Sequence, residues 1–255
     1  MLPGNGLPLP TQVAFLNRCI GGCSLFPGVE NSRTNRSSII GNSIRTLPAY
    51  PWGDASFNAL AACVRNVLRP YRIEIFTEDP GNVLHREHMV AGAPMHFGFG
   101  SGVAGVSPYV CGGISNSISF TFAQAIGDDI PELCYTAAHE IGHQFGLDHE
   151  LHAPDPMTYL DFAFIRTFTR TAEPCGEFGT RACACDSPAS QNTHAVLASR
   201  IGINPVVFVD DFEAVPQSAD GTWQSYRSPF PAQPSAAAGV CGTDPVRAVS
   251  GALSR

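Results

Sequence analysis

The stretch His139-Glu140-Ile141-Gly142-His143-Gln144-Phe145-Gly146-Leu147-Asp148-His149 governs the reading of the whole chain. His139 and His143 are four residues apart, so on a helix they sit about 40° apart on one face, one turn above the other. Both rings then reach one ion at about 2.0–2.1 Å. Gly146 falls where a helix ends in a left-handed turn, a conformation that costs a residue without Cβ nothing. That turn swings the chain back and delivers His149 as a third ligand. Three protein ligands leave the fourth position of a tetrahedral zinc open, the arrangement of a catalytic rather than a structural ion. Glu140, beside the first ligand, is placed to take a proton from a zinc-activated water and pass it to a leaving amine. A buried helix that merely carries histidines would satisfy HExxH, but would have no reason to fix Gly146 and His149 at these offsets.

The flanking sequence supports a helix. Asp129 caps it, with Glu132 three residues on and Pro131 in the first turn, where a missing N–H is harmless. Cys134, Ala137, Ala138, Ile141 and Phe145 recur at helical spacing and are expected on its buried face.

With Asp155-Pro156-Met157-Thr158-Tyr159 just downstream, the chain resembles the metzincin clan of zinc metalloendopeptidases, which place a methionine turn beneath a three-histidine zinc site. The resemblance is specific over about residues 129–161. Gly146-Leu147-Asp148-His149 reads like a matrixin, whereas Met157-Thr158-Tyr159 reads more like the astacin or serralysin groups. It implies one catalytic Zn2+ held by His139, His143 and His149, with Glu140 as general base and acid and Gly146 and Met157 supporting the site. Tyr159 is the counterpart of a tyrosine that in some families approaches the zinc or stabilises the transition-state oxyanion. Core packing for Met157 and an ordinary buried phenol for Tyr159 are the simpler readings of those two residues. The implied fold is α+β, a mixed twisted sheet with backing and active-site helices and a small loop-rich C-terminal subdomain with one helix. The implied substrate is a protein or peptide bound in extended form along the cleft. The alternative is a secreted zinc-containing module that keeps this fold for binding or adhesion without catalysis; an intact Glu140 argues against it.

Composition sets the remaining bounds. The 255 residues are 44% hydrophobic, enough for a substantial core, and only 15% charged, with 25 glycines and 21 prolines pointing to a loop-rich fold. The net charge of −7 and the lack of a basic run argue against a nucleic-acid partner. No stretch reaches the roughly 20 apolar residues of a membrane helix. A monomer is expected.

Nine cysteines exceed ordinary cytosolic use, and none falls into paired zinc-finger spacing. They read as disulfides of a secreted protein. Cys111–Cys134 would tie the cleft edge to the active-site helix, and Cys175 with Cys183 or Cys185 would staple the loop after the methionine turn. Cys63 or Cys241 is the expected unpaired thiol. Residues 1–10 carry no basic start and no continuous apolar core, so a signal peptide is not visible in this sequence.

Three regions are expected: residues 11–148, ending in the active-site helix; residues 149–202, carrying the third ligand, the methionine turn and a final helix; and residues 203–255, a tail or the start of an appended β module. Within them, Thr11–Asn17, Arg72–Glu78, Gly102–Tyr109 and Ser115–Ala125 read as strand-like, and residues 21–43 as loop. Asp54 is the expected cap of a helix to about Leu68, and Ser190 of one to about Ile201 with Ala195, Val196, Ala198 and Ile201 as its apolar positions. His85–Ala93 suits either a strand or a short helix. Ser117–Phe122 alternates in a way that suits a sheet edge, where the resemblance implies substrate pairing. His85, His88 and His96 lack the interleaved acids of a second metal site and read as core or surface histidines. Asp128, Asp129, Asp148 and Glu150 read as caps and solvated charges.

Overall fold

The computed structural model describes residues 9–185, 189–205 and 247–252. In chain order its strands are β1 (Gln12–Asn17), β2 (Cys23–Pro27), β3 (Arg36–Ser37), β4 (Arg45–Leu47), β5 (Ile73–Phe76), β6 (Arg86–Val90), β7 (Val103–Tyr109), β8 (Ile118–Thr121), β9 (Glu173–Pro174), β10 (Ser190–Gln191) and β11 (Arg247–Ala252). The helices are α1 (Gly53–Leu68), the single turn α2 (Ala123–Ile126), α3 (Ile130–Gln144) and α4 (Thr193–Ile201).

The main sheet is mixed and runs β11-β7-β8-β6-β1-β5. β5, β1, β6 and β8 are parallel to one another, while β7 is antiparallel to β8 and β11 antiparallel to β7. The expected α+β architecture with a twisted mixed sheet is present. All five residues of β6 are buried, because it sits mid-sheet with both faces covered. Met89 and Val90, adjacent on that strand, point into different apolar clusters. Val90 joins α1, α3 and α4, and Met89 joins the β2–β4 side with Phe97, Ile118 and Phe120.

α1 buries Phe57, Leu60, Ala61, Val64 and Leu68, the stripe its spacing predicts, and adds Val67. Its cap position is Trp52, with no side-chain cap. Asp54 instead lies inside the first turn and pairs with Arg18, still favourably placed against the helix dipole. α4 is capped by Asn192, whose side chain accepts from the Ala195 amide at 2.7 Å, because Ser190 is drawn into the β9–β10 pair. Thr193, Leu197 and Ile201 are its fully buried residues, Ile201 as expected, while Ala195 faces solvent.

Residues 21–43, expected as loop, contain β2 and β3. The buried Glu30 carboxylate gathers this region by accepting from Ser37 Oγ, Ser38 N and Oγ, and Ile118 N. Ser117–Phe122 is likewise not an edge. β8 lies between β6 and β7 with every residue buried, and its polar positions serve the interior, since the ring of His88 bonds Ser119 Oγ at 2.7 Å and Thr121 Oγ1 at 2.9 Å.

The cysteine pairing corrects two expectations. Cys134 joins Cys63, clamping α3 to α1, and Cys111 joins Cys185. Cys63 is therefore paired, while Cys241 lies outside the described residues. Cys175–Cys183 closes the loop after the methionine turn, and Cys19–Cys23 closes a short one near β2. Sequence adjacency misleads here because Cys63 sits on a helix that packs against α3 from 71 residues away.

Candidate active site and metal centre

α3 begins as its sequence requires, with Asp129 Oδ1 accepting the Glu132 amide at 3.1 Å. It ends at Phe145, and Gly146 follows with φ +76°. A Cβ at Gly146 would stand 2.7 Å from the Val110 carbonyl oxygen, so both the turn and the close approach require glycine. Beyond the turn, His149 returns to His139 and His143.

The three Nε2 atoms converge, with that of His143 3.0 Å from each of the other two. Around a tetrahedral zinc, ligand nitrogens at 2.0–2.1 Å stand about 3.3 Å from one another, close to this spacing. Each Nδ1 faces an oxygen acceptor: His139 the Pro156 carbonyl at 2.8 Å, His143 the Leu147 carbonyl at 2.7 Å, His149 the Glu177 carboxylate at 2.7 Å. These partners assign the ring proton to Nδ1 on all three imidazoles. Three Nε2 lone pairs then meet at one point with no proton among them, an arrangement that a cation satisfies and mutual hydrogen bonding does not. Burial, reinforced by the neighbouring imidazoles, holds His139 well below the ordinary histidine range and pushes His143 down to about 3. Both are thus kept in the neutral, ligating form.

Behind His149 stands a charged brace that the sequence reading missed. Arg181 makes a fork to Asp148, Nη1 to Oδ2 and Nη2 to Oδ1, both at 2.7 Å. The same Nη2 donates to Glu177 Oε1 at 2.7 Å. Burial pushes the Asp148 carboxyl up, but the Arg181 fork and the Ala184 amide outweigh it and hold the group below its usual range. Glu177 is also held low, chiefly by the His149 N–H and then by Arg181. Gln191 fixes the backbone of Asp148 from both sides, accepting its N–H at 2.8 Å and donating to its carbonyl at 2.9 Å. Asp148 is therefore a buried anchor rather than a solvated charge. Asp129 caps a helix, as expected, and Asp128 is exposed and accepts from Ser56.

Glu150 is also buried, not solvated. It lies beside Asp155, and desolvation together with that neighbouring carboxylate raises its pKa. Asp155 builds the methionine turn, accepting the amides of Met157 at 2.8 Å and Thr169 at 2.7 Å and the Thr193 hydroxyl at 2.6 Å. The Glu150 amide donates to the Met157 carbonyl at 3.0 Å, tying the turn to the residue after His149. A Cβ at Gly142 would lie 2.5 Å from Met157 Sδ, so the thioether packs directly under α3. Tyr159 completes this side, its ring 4.5 Å from that of His149 and 5.7 Å from that of His139.

Glu140 is fully buried against β7. A Cβ at Gly105 would stand 2.6 Å from its Oε1 and 2.7 Å from its Cγ. Further along β7, Tyr109 meets the His143 ring edge-on at 5.9 Å. His88 is an interior histidine, pushed down to about 3 by burial. Among the described residues, the group of His, Cys, Asp or Glu close enough to share an ion is His139, His143 and His149.

Residues 66–150, a third of the chain ending one residue past His149, match the family model described as metallo-peptidase family M12B, reprolysin-like. Over these residues, and in its His139, His143 and His149 group, the chain is similar to the metzincin metallopeptidases. No curated protein matches the metallopeptidase chain. Its class is that of a zinc-dependent hydrolase, and no described helix is long and apolar enough to cross a membrane.

Proposed function

We propose that this metallopeptidase is a secreted endopeptidase that cleaves extended protein segments, with His139, His143 and His149 holding one zinc and Glu140 moving the proton. The convergence of three aprotic Nε2 atoms beside a fully buried glutamate carries the reading. Zinc bound there supplies Lewis acidity and lowers the pKa of an attached water to about 7.

The remaining work falls to the chain. The Glu140 carboxylate accepts the proton of the attacking water and returns it to the departing amine. Tyr159 is held neutral well above neutral pH, first by burial and then by the charges of Glu140 and Glu177, so its O–H is available as a donor to a developing oxyanion. Apolar packing around α3 excludes bulk water and strengthens these interactions. Four disulfides among the described residues support export to an oxidising compartment.

The test compares wild type with Glu140→Ala. Equal zinc content is expected, with peptide hydrolysis lost by about 10²–10⁴-fold. A mutant that cleaves as well as wild type, or a zinc-loaded wild type that cleaves no member of a broad peptide library, would leave the non-catalytic binding module as the better account.

A further inference from the structure

We infer that the C-terminal strand β11 is an intramolecular occupant of the peptide-binding edge, and that substrate must displace it. The inference rests on the endopeptidase reading above.

β7 is the strand that flanks the site. Its Gly105 packs on Glu140 and its Tyr109 on the His143 ring, so a chain paired along this strand passes the general base and one metal ligand in turn. One side of β7 is hydrogen-bonded to β8. The other side is the edge to which an extended peptide would add as a further strand. β11 holds it. The pairing is antiparallel and runs from Arg247 opposite Tyr109 to Ala252 opposite Val103, with Gly251 opposite Gly105. The full length of β7 is thereby taken, including the position backed by Glu140. β11 also comes within 8 Å (Cα–Cα) of α3, the helix that carries His139, Glu140 and His143.

Two chains cannot use the same row of N–H and C=O groups, so β11 and an edge-paired substrate exclude each other. The sequence of the strand, Arg247-Ala248-Val249-Ser250-Gly251-Ala252, offers a single large apolar residue. The main-chain ladder that joins it to β7 is one that any extended peptide can replace. Residues 202–246 join it to α4, so it meets the edge as a tethered competitor rather than as a free peptide.

The test uses the full-length chain carrying Val249→Pro and Ser250→Pro together. Consecutive residues alternate between bonded and non-bonded positions toward one neighbour, so one of the two prolines removes a ladder donor whichever way the strand is phased. If β11 is docked about nine-tenths of the time, freeing the edge lowers KM by about tenfold and leaves kcat unchanged. Amide exchange over residues 103–109 should accelerate in the same variant. A synthetic peptide of residues 245–255 should inhibit the variant competitively. An unchanged KM, or a fall in kcat, would overturn the inference and make β11 a structural edge strand. If zinc-loaded protein of both kinds cleaves nothing, the endopeptidase reading fails by itself. Exchange then still decides the docking, because equal protection of residues 103–109 in both forms overturns it.

Discussion

Glu177 Oε1 accepts the Nδ1–H of His149 at 2.7 Å, and the same oxygen takes a hydrogen bond from Arg181. The bond fixes the tautomer and the ring orientation of His149, the member of the three-histidine group that is not on α3. Glu177→Ala is therefore expected to weaken zinc binding by about 10–100-fold, the usual cost of losing such a partner. Competition with a graded series of chelators measures it. Affinity equal to wild type would reduce Glu177 to a surface carboxylate.

Gly105 leaves no room for a side chain. A methyl group there would meet Glu140 Oε1 at 2.6 Å and the Phe120 carbonyl oxygen at 2.7 Å. Since the backbone oxygen cannot yield, Gly105→Ala should displace the Glu140 carboxylate. The expected outcome is full zinc occupancy with a kcat/KM lowered by about 10²-fold, in line with the cost of a small misplacement of a catalytic group. The accompanying loss of stability should be about 1–3 kcal/mol. Metal analysis, kinetics and urea unfolding of one preparation separate these effects.

Glu87 gives the fold a pH dependence. Burial raises its pKa from 4.5 to about 8, although Asn17 Nδ2 donates to it at 2.7 Å. Below pH 4.5 the folded and unfolded states are both protonated and its contribution is fully present. Between pH 4.5 and 8 only the folded state keeps the proton, so stability falls as pH rises. The slope from one such group is at most about 1.4 kcal/mol per pH unit. Glu87→Gln should flatten this decline. Because the Glu150 carboxyl is raised as well, the decline will not vanish. Unfolding midpoints across that range decide it; parallel curves for mutant and wild type would refute the assignment.

What the sequence disclosed depended on distance along the chain. His139, His143, Gly146 and His149 are legible because their geometry is set by one helix and one turn. Asp129 and the apolar face of α3 are legible for the same reason. Glu177 and Arg181 are not, since they reach His149 and Asp148 across a loop whose path depends on Cys175–Cys183 and Cys111–Cys185. Ser119 and Thr121 looked like solvent-facing positions of an edge strand because hydroxyls suit water and a buried histidine equally well. Cys63 pairs with Cys134 only because α1 packs on α3, a tertiary fact with no local signal. The docking of β11 on β7 was equally hidden, as the short run Arg247–Ala252 carries no mark of a partner.

The two disulfides around the Glu177 loop set an order of events. Cys175–Cys183 encloses Glu177 and Arg181, and Cys111–Cys185 fastens the end of that loop beyond β7. While these thiols remain reduced, the segment that braces the third imidazole is not fastened to the body of the protein. The three histidines are then encoded from synthesis onward, yet they become a rigid set only after oxidation. On the proposed export, the chain would pass through a reducing interior with a loosely assembled centre, and the change of compartment would finish it.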